Sequence, residues 1–92
     1  MNKRLECVVK GRVQMVLFRD FARRTANKLG VVGFVKNLDD GSVYAVAEGE
    51  ENSLNQFLNA MKKGSIFSKV TGVDERWGES LGEFNDFKIK YE

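Results

Sequence analysis

The apolar residues of this chain change period several times, and the order of those changes leaves few folds open. Leu5, Cys7 and Val9 alternate with Glu6, Val8 and Lys10, the two-residue period of a strand ending at Gly11. From Phe18 the period lengthens. Phe18, Phe21, Ala22, Thr25, Ala26 and Leu29 recur at helical spacing, with Asp20, Arg23, Arg24, Asn27 and Lys28 on the other side. Lys28 followed by Gly30 is a helix stop. Residues 31–37 are β-branched and aromatic, Asp40-Gly41 is a hairpin signal, and residues 42–48 supply the returning strand. Leu54, Phe57, Leu58 and Met61 make the apolar stripe of a second helix. Glu50 and Glu51 stand at its start and Lys62, Lys63 and Gly64 at its end, charges that suit the helix dipole. Residues 70–77 form a fourth strand, and Phe87, Ile89 and Tyr91 alternate with charged residues in a last one.

The order is β-α-β-β-α-β with an extra C-terminal strand. It predicts an α+β, ferredoxin-like sandwich, an antiparallel-rich sheet with two helices on one face. At 92 residues one domain, 1–92, accounts for the chain. Many unrelated functions share such a fold, so chemistry has to be read from individual residues. The longest apolar or glycine run near the middle, residues 29–35, is far too short to cross a bilayer, and no apolar stretch follows the charged N-terminus. The expectation is a cytoplasmic protein without membrane contact, and a monomer, since no strongly apolar surface stripe is evident. A net charge of +2 allows small anionic ligands but makes no broad basic face, so no nucleic-acid partner is expected.

The chain has no histidine and one cysteine. That excludes Ser-His-Asp and Cys-His catalysis, a zinc-type cluster and an internal disulfide. Cys7 shares the parity of Leu5 and Val9, which reads as a buried, inert thiol. No metal and no cofactor are expected.

A candidate site follows from the first crossover. Because such connections return parallel, the carboxyl end of the second strand lies at the same edge as the loop between the first strand and the first helix. Asn37 sits at that end, and residues 11–18 are that loop. The loop leads into a helix N-terminus, where unpaired N–H groups and the positive dipole end favour an anion. Arg19 in the first turn adds a planar fork of donors suited to phosphate. A cation there is locally unfavourable for the helix, and a bound anion relieves the conflict. Asn37 offers a donor and an acceptor together, which can hold one water in a fixed orientation. Asp39 and Asp40 read as solvated turn residues rather than an acid/base couple.

The same residues carry a family resemblance. Residues 11–19, Gly-Arg-Val-Gln-Met-Val-Leu-Phe-Arg, resemble the acylphosphatase signature G-[RK]-V-Q-G-V-x-F-R. Residues 29–37, Leu-Gly-Val-Val-Gly-Phe-Val-Lys-Asn, with Asp40-Gly41 beyond, resemble that family's second block, and Phe84, Phe87, Ile89 and Tyr91 match its usual close. The resemblance implies hydrolysis of the carboxyl-phosphate bond of acyl phosphates without a metal or a covalent intermediate. It implies catalytic roles for Arg19 and Asn37, with phosphate held by Arg19 and by the loop at Gln14, Met15, Val16, Leu17, Phe18 and Arg19. The partners implied are a small acyl phosphate and inorganic phosphate. Met15 stands where the family has glycine, a position where glycine permits positive φ and close approach of the backbone to an anion. An alternative of the same fold is therefore a phosphate- or anion-binding module weakened in turnover. RNA-recognition domains share the βαββαβ order, and Gly33-Phe34-Val35-Lys36 matches part of their motif. That motif lies on the wrong strand here, and Phe34 reads as core.

Overall fold

A computed structural model describes residues 2–14 and 17–91. The elements follow the expected order: β1 (Asn2–Arg12), α1 (Phe18–Leu29), β2 (Val32–Asn37), β3 (Val43–Glu50), α2 (Glu51–Lys63), β4 (Lys69–Glu79) and β5 (Phe87–Lys90). Several strands outrun the sequence expectation. β1 continues past Gly11, because its outer neighbour β4 keeps pairing with Gly11 and Arg12 beyond a register shift at Lys10/Gly11. Glu50 is the last residue of β3 and caps α2 rather than opening it. α1 stops at Gly30, whose N–H reaches the carbonyls of Ala26 and Asn27, while the Val31 N–H bonds Ala26 O.

The sheet order is β4-β1-β3-β2-β5. β3 is antiparallel to both β1 and β2, so β1 and β2 run the same way with one strand between them. Each βαβ crossover therefore skips a strand, the split arrangement of the ferredoxin-like sandwich. β5 lies parallel to β2 at the edge opposite β4. α1 packs on β2 and β5, and α2 on β1, β3 and β4. Their buried faces, Phe18, Ala22 and Ala26 from α1 and Leu54, Phe57, Leu58 and Met61 from α2, meet the alternate residues Leu5, Cys7, Val9, Val35, Val43, Ala45 and Ala47 of the sheet. Cys7 is buried there, and its thiol is pushed up to about 12 by burial and secondarily by Glu75. An inert thiol follows.

The other face of the sheet is crossed by the chain between β4 and β5, which must pass from one edge to the opposite one. Glu48, only 2% exposed, ties this connector down. Its carboxylate accepts hydrogen bonds from Ser80 Oγ (2.8 Å), Leu81 N (2.9 Å), Gly82 N (3.1 Å) and Arg4 Nη1 (3.0 Å). Arg4 also reaches Glu6 and Glu83. Phe34 lies on this face and not in the helix-covered core: period two puts Gly33 and Val35 inward, and Phe34 packs edge-on against Tyr44 and Phe84. Lys90 Nζ caps its ring at 4.0 Å from the centroid.

Candidate active site

The loop after β1 is aimed by a bulge. Gly11 has φ +124°, and a Cβ there would run into the Lys69 carbonyl oxygen of β4, so only glycine lets the two backbones meet at this point. Val13 is then buried as an anchor. Gln14 turns its side chain away from the helix end. Its Nε2 donates to Leu38 O and to Ser42 O, both at 2.8 Å, and so clips the loop to the β2–β3 turn. That turn holds itself: Asp40 Oδ1 accepts from Ser42 N at 3.0 Å and from Ser42 Oγ at 2.5 Å, and Leu38 N donates to Ser42 O at 2.9 Å. Hydrogen bonds from the Ser42 side chain, then from its backbone, hold the Asp40 carboxyl below its ordinary value. Asp40 is thus a turn residue.

Leu17 immediately precedes α1 in the left-handed region, φ 59° and ψ 26°, the one non-glycine with positive φ among the described residues. For leucine this costs on the order of 1–2 kcal/mol. No contact offsets the cost through burial, since its side chain is 76% exposed. A left-handed residue followed by right-handed ones turns successive N–H groups into a common concavity. The Leu17 carbonyl meanwhile accepts the Phe21 N–H at 3.0 Å and starts the helix. The Phe18 side chain is buried in the core, which leaves its backbone as the group that faces this end. The two remaining expected loop positions, Met15 and Val16, lie outside the described residues.

Arg19 and Asn37, 18 positions apart in sequence, do converge. Both line one cleft of about 350 Å³, together with Val13, Leu17, Ile89 and Tyr91. Arg19 Nη1 donates to the Lys90 carbonyl at 3.2 Å, and its guanidinium carbon lies 4.7 Å from the Tyr91 ring centroid. Among the described residues Lys90 O is its one hydrogen-bond acceptor, so most of its donor fork is uncommitted. The conflict between a cation and the helix dipole is eased locally by Asp20, which binds Arg23 at 2.7 Å and Arg24 at 2.8 Å. Asn37 Oδ1 is buried and has no hydrogen-bond partner among the described residues. A buried amide oxygen normally finds one, in protein or in water. No group of three or more His, Cys, Asp or Glu residues suited to a metal ion occurs among the described residues.

Sequence reasoning missed what braces Arg19. Lys90 and Tyr91 follow from β5 lying beside β2, and alternation along the chain carries no information about which strand is its neighbour. It also missed the left-handed residue at Leu17, because leucine carries no signal for that conformation. Gln14 was expected as a phosphate-binding position. Its side chain is a clip on the neighbouring turn, and only its backbone remains for an anion.

Fold and cleft together define a class: a split βαβ sandwich in which a helix N-terminus, an arginine and an asparagine line one cleft at the sheet's end. Comparison with known proteins narrows it. The acylphosphatase family model matches residues 5–89, and the chain belongs to that family. It is 49% identical over 89 residues to an acylphosphatase of Thermotoga maritima, covering 97% of this chain and 98% of that protein. It is 50% identical over 84 residues to one of Bacillus licheniformis, covering 91% and 93%. The crystal structure of acylphosphatase from Bacillus subtilis superimposes with a TM-score of 0.93 at 45% identity, over 97% of this chain and 99% of that one.

Proposed function

We propose that this protein hydrolyses the carboxyl-phosphate bond of acyl phosphates, with the phosphate seated between the α1 N-terminus and Arg19 and the attacking water held by Asn37. Water attacks phosphorus, the P–O bond to the acyl group breaks, and the carboxylate leaves with the bonding electrons. A substrate phosphate oxygen takes the water proton, so the products are a carboxylate and dihydrogen phosphate. The leaving group is already good, so positioning and charge stabilisation carry the reaction. Backbone amides of the loop at residues 14–19 and the Arg19 fork meet the phosphate oxygens, and the brace from Lys90 and Tyr91 fixes that fork before substrate arrives.

The observation that carries this reading is that Asn37, whose buried Oδ1 has no hydrogen-bond partner among the described residues, lines the same cleft as Arg19. A rotation of that amide toward the cleft supplies an acceptor for a water whose second hydrogen and lone pair are directed at phosphate. The chemistry takes place without a metal or an organic cofactor. The remaining expectations belong to the same reading. The protein is a cytoplasmic monomer whose single domain spans residues 1–92, and no helix among the described residues is long and apolar enough to cross a membrane. Nucleic acid is not a partner, because the Phe34 ring that base stacking needs is already occupied by Lys90 and Phe84. Turnover of benzoyl phosphate in the presence of EDTA, with inorganic phosphate as a competitive inhibitor, tests the proposal. Activity lost to EDTA and restored by a divalent cation overturns the mechanism.

A further inference from the structure

β1 and β2 are parallel, so the end of β1 at Arg12 and the end of β2 at Asn37 share one end of the sheet. At that end, on the far side of β1, the chain turns from α2 into β4 through residues 64–68. Ser68 N donates to Ser65 O at 3.1 Å, which closes a four-residue turn with Ile66 and Phe67 at its centre. Ser68 Oγ braces it twice, accepting from Ser65 N at 2.8 Å and donating to Ser65 O at 2.9 Å. Turn centres normally hold Gly, Pro, Asn, Asp or Ser. This one holds two large apolar side chains, 90% and 68% exposed, so neither is there for the core.

The surroundings of this tip are cationic. Lys63 ends α2 just before the turn, and Lys69 opens β4 just after it. Lys69 stands directly across the ladder from Arg12, the last residue of β1. Like charges opposed in this way destabilise a sheet. Among the described residues no ion pair includes Arg12, Lys63 or Lys69. The acids further along β4 are committed elsewhere, Asp74 to Lys10, Glu75 to Lys62 and Glu79 to Lys3. Asp39 and Asp40 stand at the same end of the molecule, but in the β2–β3 turn, with β1 between them and β4, and Asp40 is bound to Ser42. The protruding apolar pair therefore has a rim of positive charge that the described chain does not neutralise.

We infer that the α2–β4 turn docks the protein on an anionic lipid surface, with Ile66 and Phe67 entering the headgroup boundary and Arg12, Lys63 and Lys69 meeting the anionic headgroups. The cations alone would suit any polyanion, and the apolar pair alone would suit a pocket in a partner protein. A bilayer satisfies both at once: it presents negative charge above an apolar layer, and it takes a convex tip without a preformed cavity. The expectation of no membrane contact rested on the lack of a spanning stretch. This tip lies on a membrane and spans nothing, and the cytoplasmic leaflet carries the negative charge that it requires. Docked in this way, the end of the sheet that bears Arg19 and Asn37 turns toward the lipid. The docking is independent of the hydrolytic activity proposed above.

The test is cosedimentation of the full chain with vesicles of phosphatidylcholine alone and with vesicles that include about 30% phosphatidylserine. The parent is expected to bind the anionic vesicles at low salt, to be released as salt rises to about 0.5 M, and to leave the neutral vesicles unbound. Lys69→Glu is expected to weaken binding more than about tenfold, since each cation near such a surface contributes about fivefold. That variant sets an opposite charge across from Arg12, so its urea midpoint should match or exceed the parent's and its fold is not at risk. Ile66→Ser combined with Phe67→Ser places a residue that turns accept at both central positions, and should weaken binding by about tenfold through lost apolar burial. A parent that binds neither kind of vesicle, or both equally, overturns the inference. So does a doubly serine-substituted protein that binds anionic vesicles within about twofold of the parent, because charge alone then accounts for the adsorption.

Discussion

Replacing Glu48 by glutamine keeps shape and volume and removes one acceptor oxygen, and the geometry around it sets the cost. Oε1 accepts from Ser80 Oγ and Gly82 N, and Oε2 accepts from Leu81 N and Arg4 Nη1. An amide has a single oxygen. Turned one way, its NH2 faces the Leu81 N–H and Arg4; turned the other, it faces the Gly82 N–H and Ser80, whose hydroxyl can rotate to accept. The second arrangement is cheaper and still leaves one backbone donor without a partner, at about 1–3 kcal/mol, with the loss of charge opposite Arg4 added. Glu6 and Glu83 still face Arg4 and limit that second contribution. A total of about 2–4 kcal/mol is expected, a large share of the roughly 5–15 kcal/mol that holds a domain of this size. In urea, with m near about 1 kcal/mol/M, the unfolding midpoint should drop by about 2–4 M. The site itself should be little affected. Asn37 pairs with Val43, five residues from Glu48 and roughly 17 Å along β3, so kcat/KM should stay within about twofold where both proteins are folded. A stability loss below about 0.5 kcal/mol at unchanged m would refute the claim that this carboxylate ties the connector to the sheet.

The same carboxyl predicts an acid limb. Burial pushes its pKa up, but the Leu81 N–H, Ser80, Arg4 and the Gly82 N–H outweigh that, so it lies below its ordinary value of 4.5 in the folded protein. Its contribution is present above that value and is lost as pH falls through the lower folded one, so parent stability should drop in that window and Glu48→Gln should show a flatter profile. Arg19→Lys should lose at least about 10²-fold in kcat/KM and bind inorganic phosphate more weakly, because an ammonium lacks the planar fork; unchanged phosphate affinity would show that Arg19 has another role. Asn37→Ala should lose about 10²–10³-fold in kcat with phosphate inhibition largely kept, as measured by steady-state kinetics. Leu17→Gly should raise stability by up to about 1 kcal/mol in a urea melt, since relief of left-handed strain exceeds the added freedom of the unfolded chain. A lower midpoint would mean that Leu17 is not strained.

What could be read from the sequence was whatever depends on local period and on chain direction. The helix at residues 18–29 and its stop at Gly30 were legible because an apolar stripe, a basic last turn and a glycine agree. The approach of Asn37 to Arg19 was legible because a βαβ crossover fixes which strand ends lie together. Side-of-sheet assignments were weaker. Phe34 has the apolarity of a core residue, and only its parity with Val32 and Lys36 places it on the open face. Glu48 looked like the polar end of a strand, and its burial depends on a connector 32 to 34 residues further on. The brace on Arg19 has the same origin, a contact across 71 positions that no local pattern announces.

That brace comes from the sheet's least secured strand. β5 has four residues and one ladder partner, and its parallel register with β2 runs only from Gly33–Phe87 to Lys36–Lys90. Peeling its last turn of ladder would release the Lys90 carbonyl and the Tyr91 ring from Arg19 while leaving β1, β3, β4 and both helices in place. Such an opening exposes little surface and has a free energy well below that of global unfolding. Catalytic competence and structural integrity are therefore separate thermodynamic quantities in this chain. Under rising denaturant the enzyme should fall silent at a concentration where its circular dichroism is still native, and amide exchange in β5 should be faster than in β3 by the same free-energy gap.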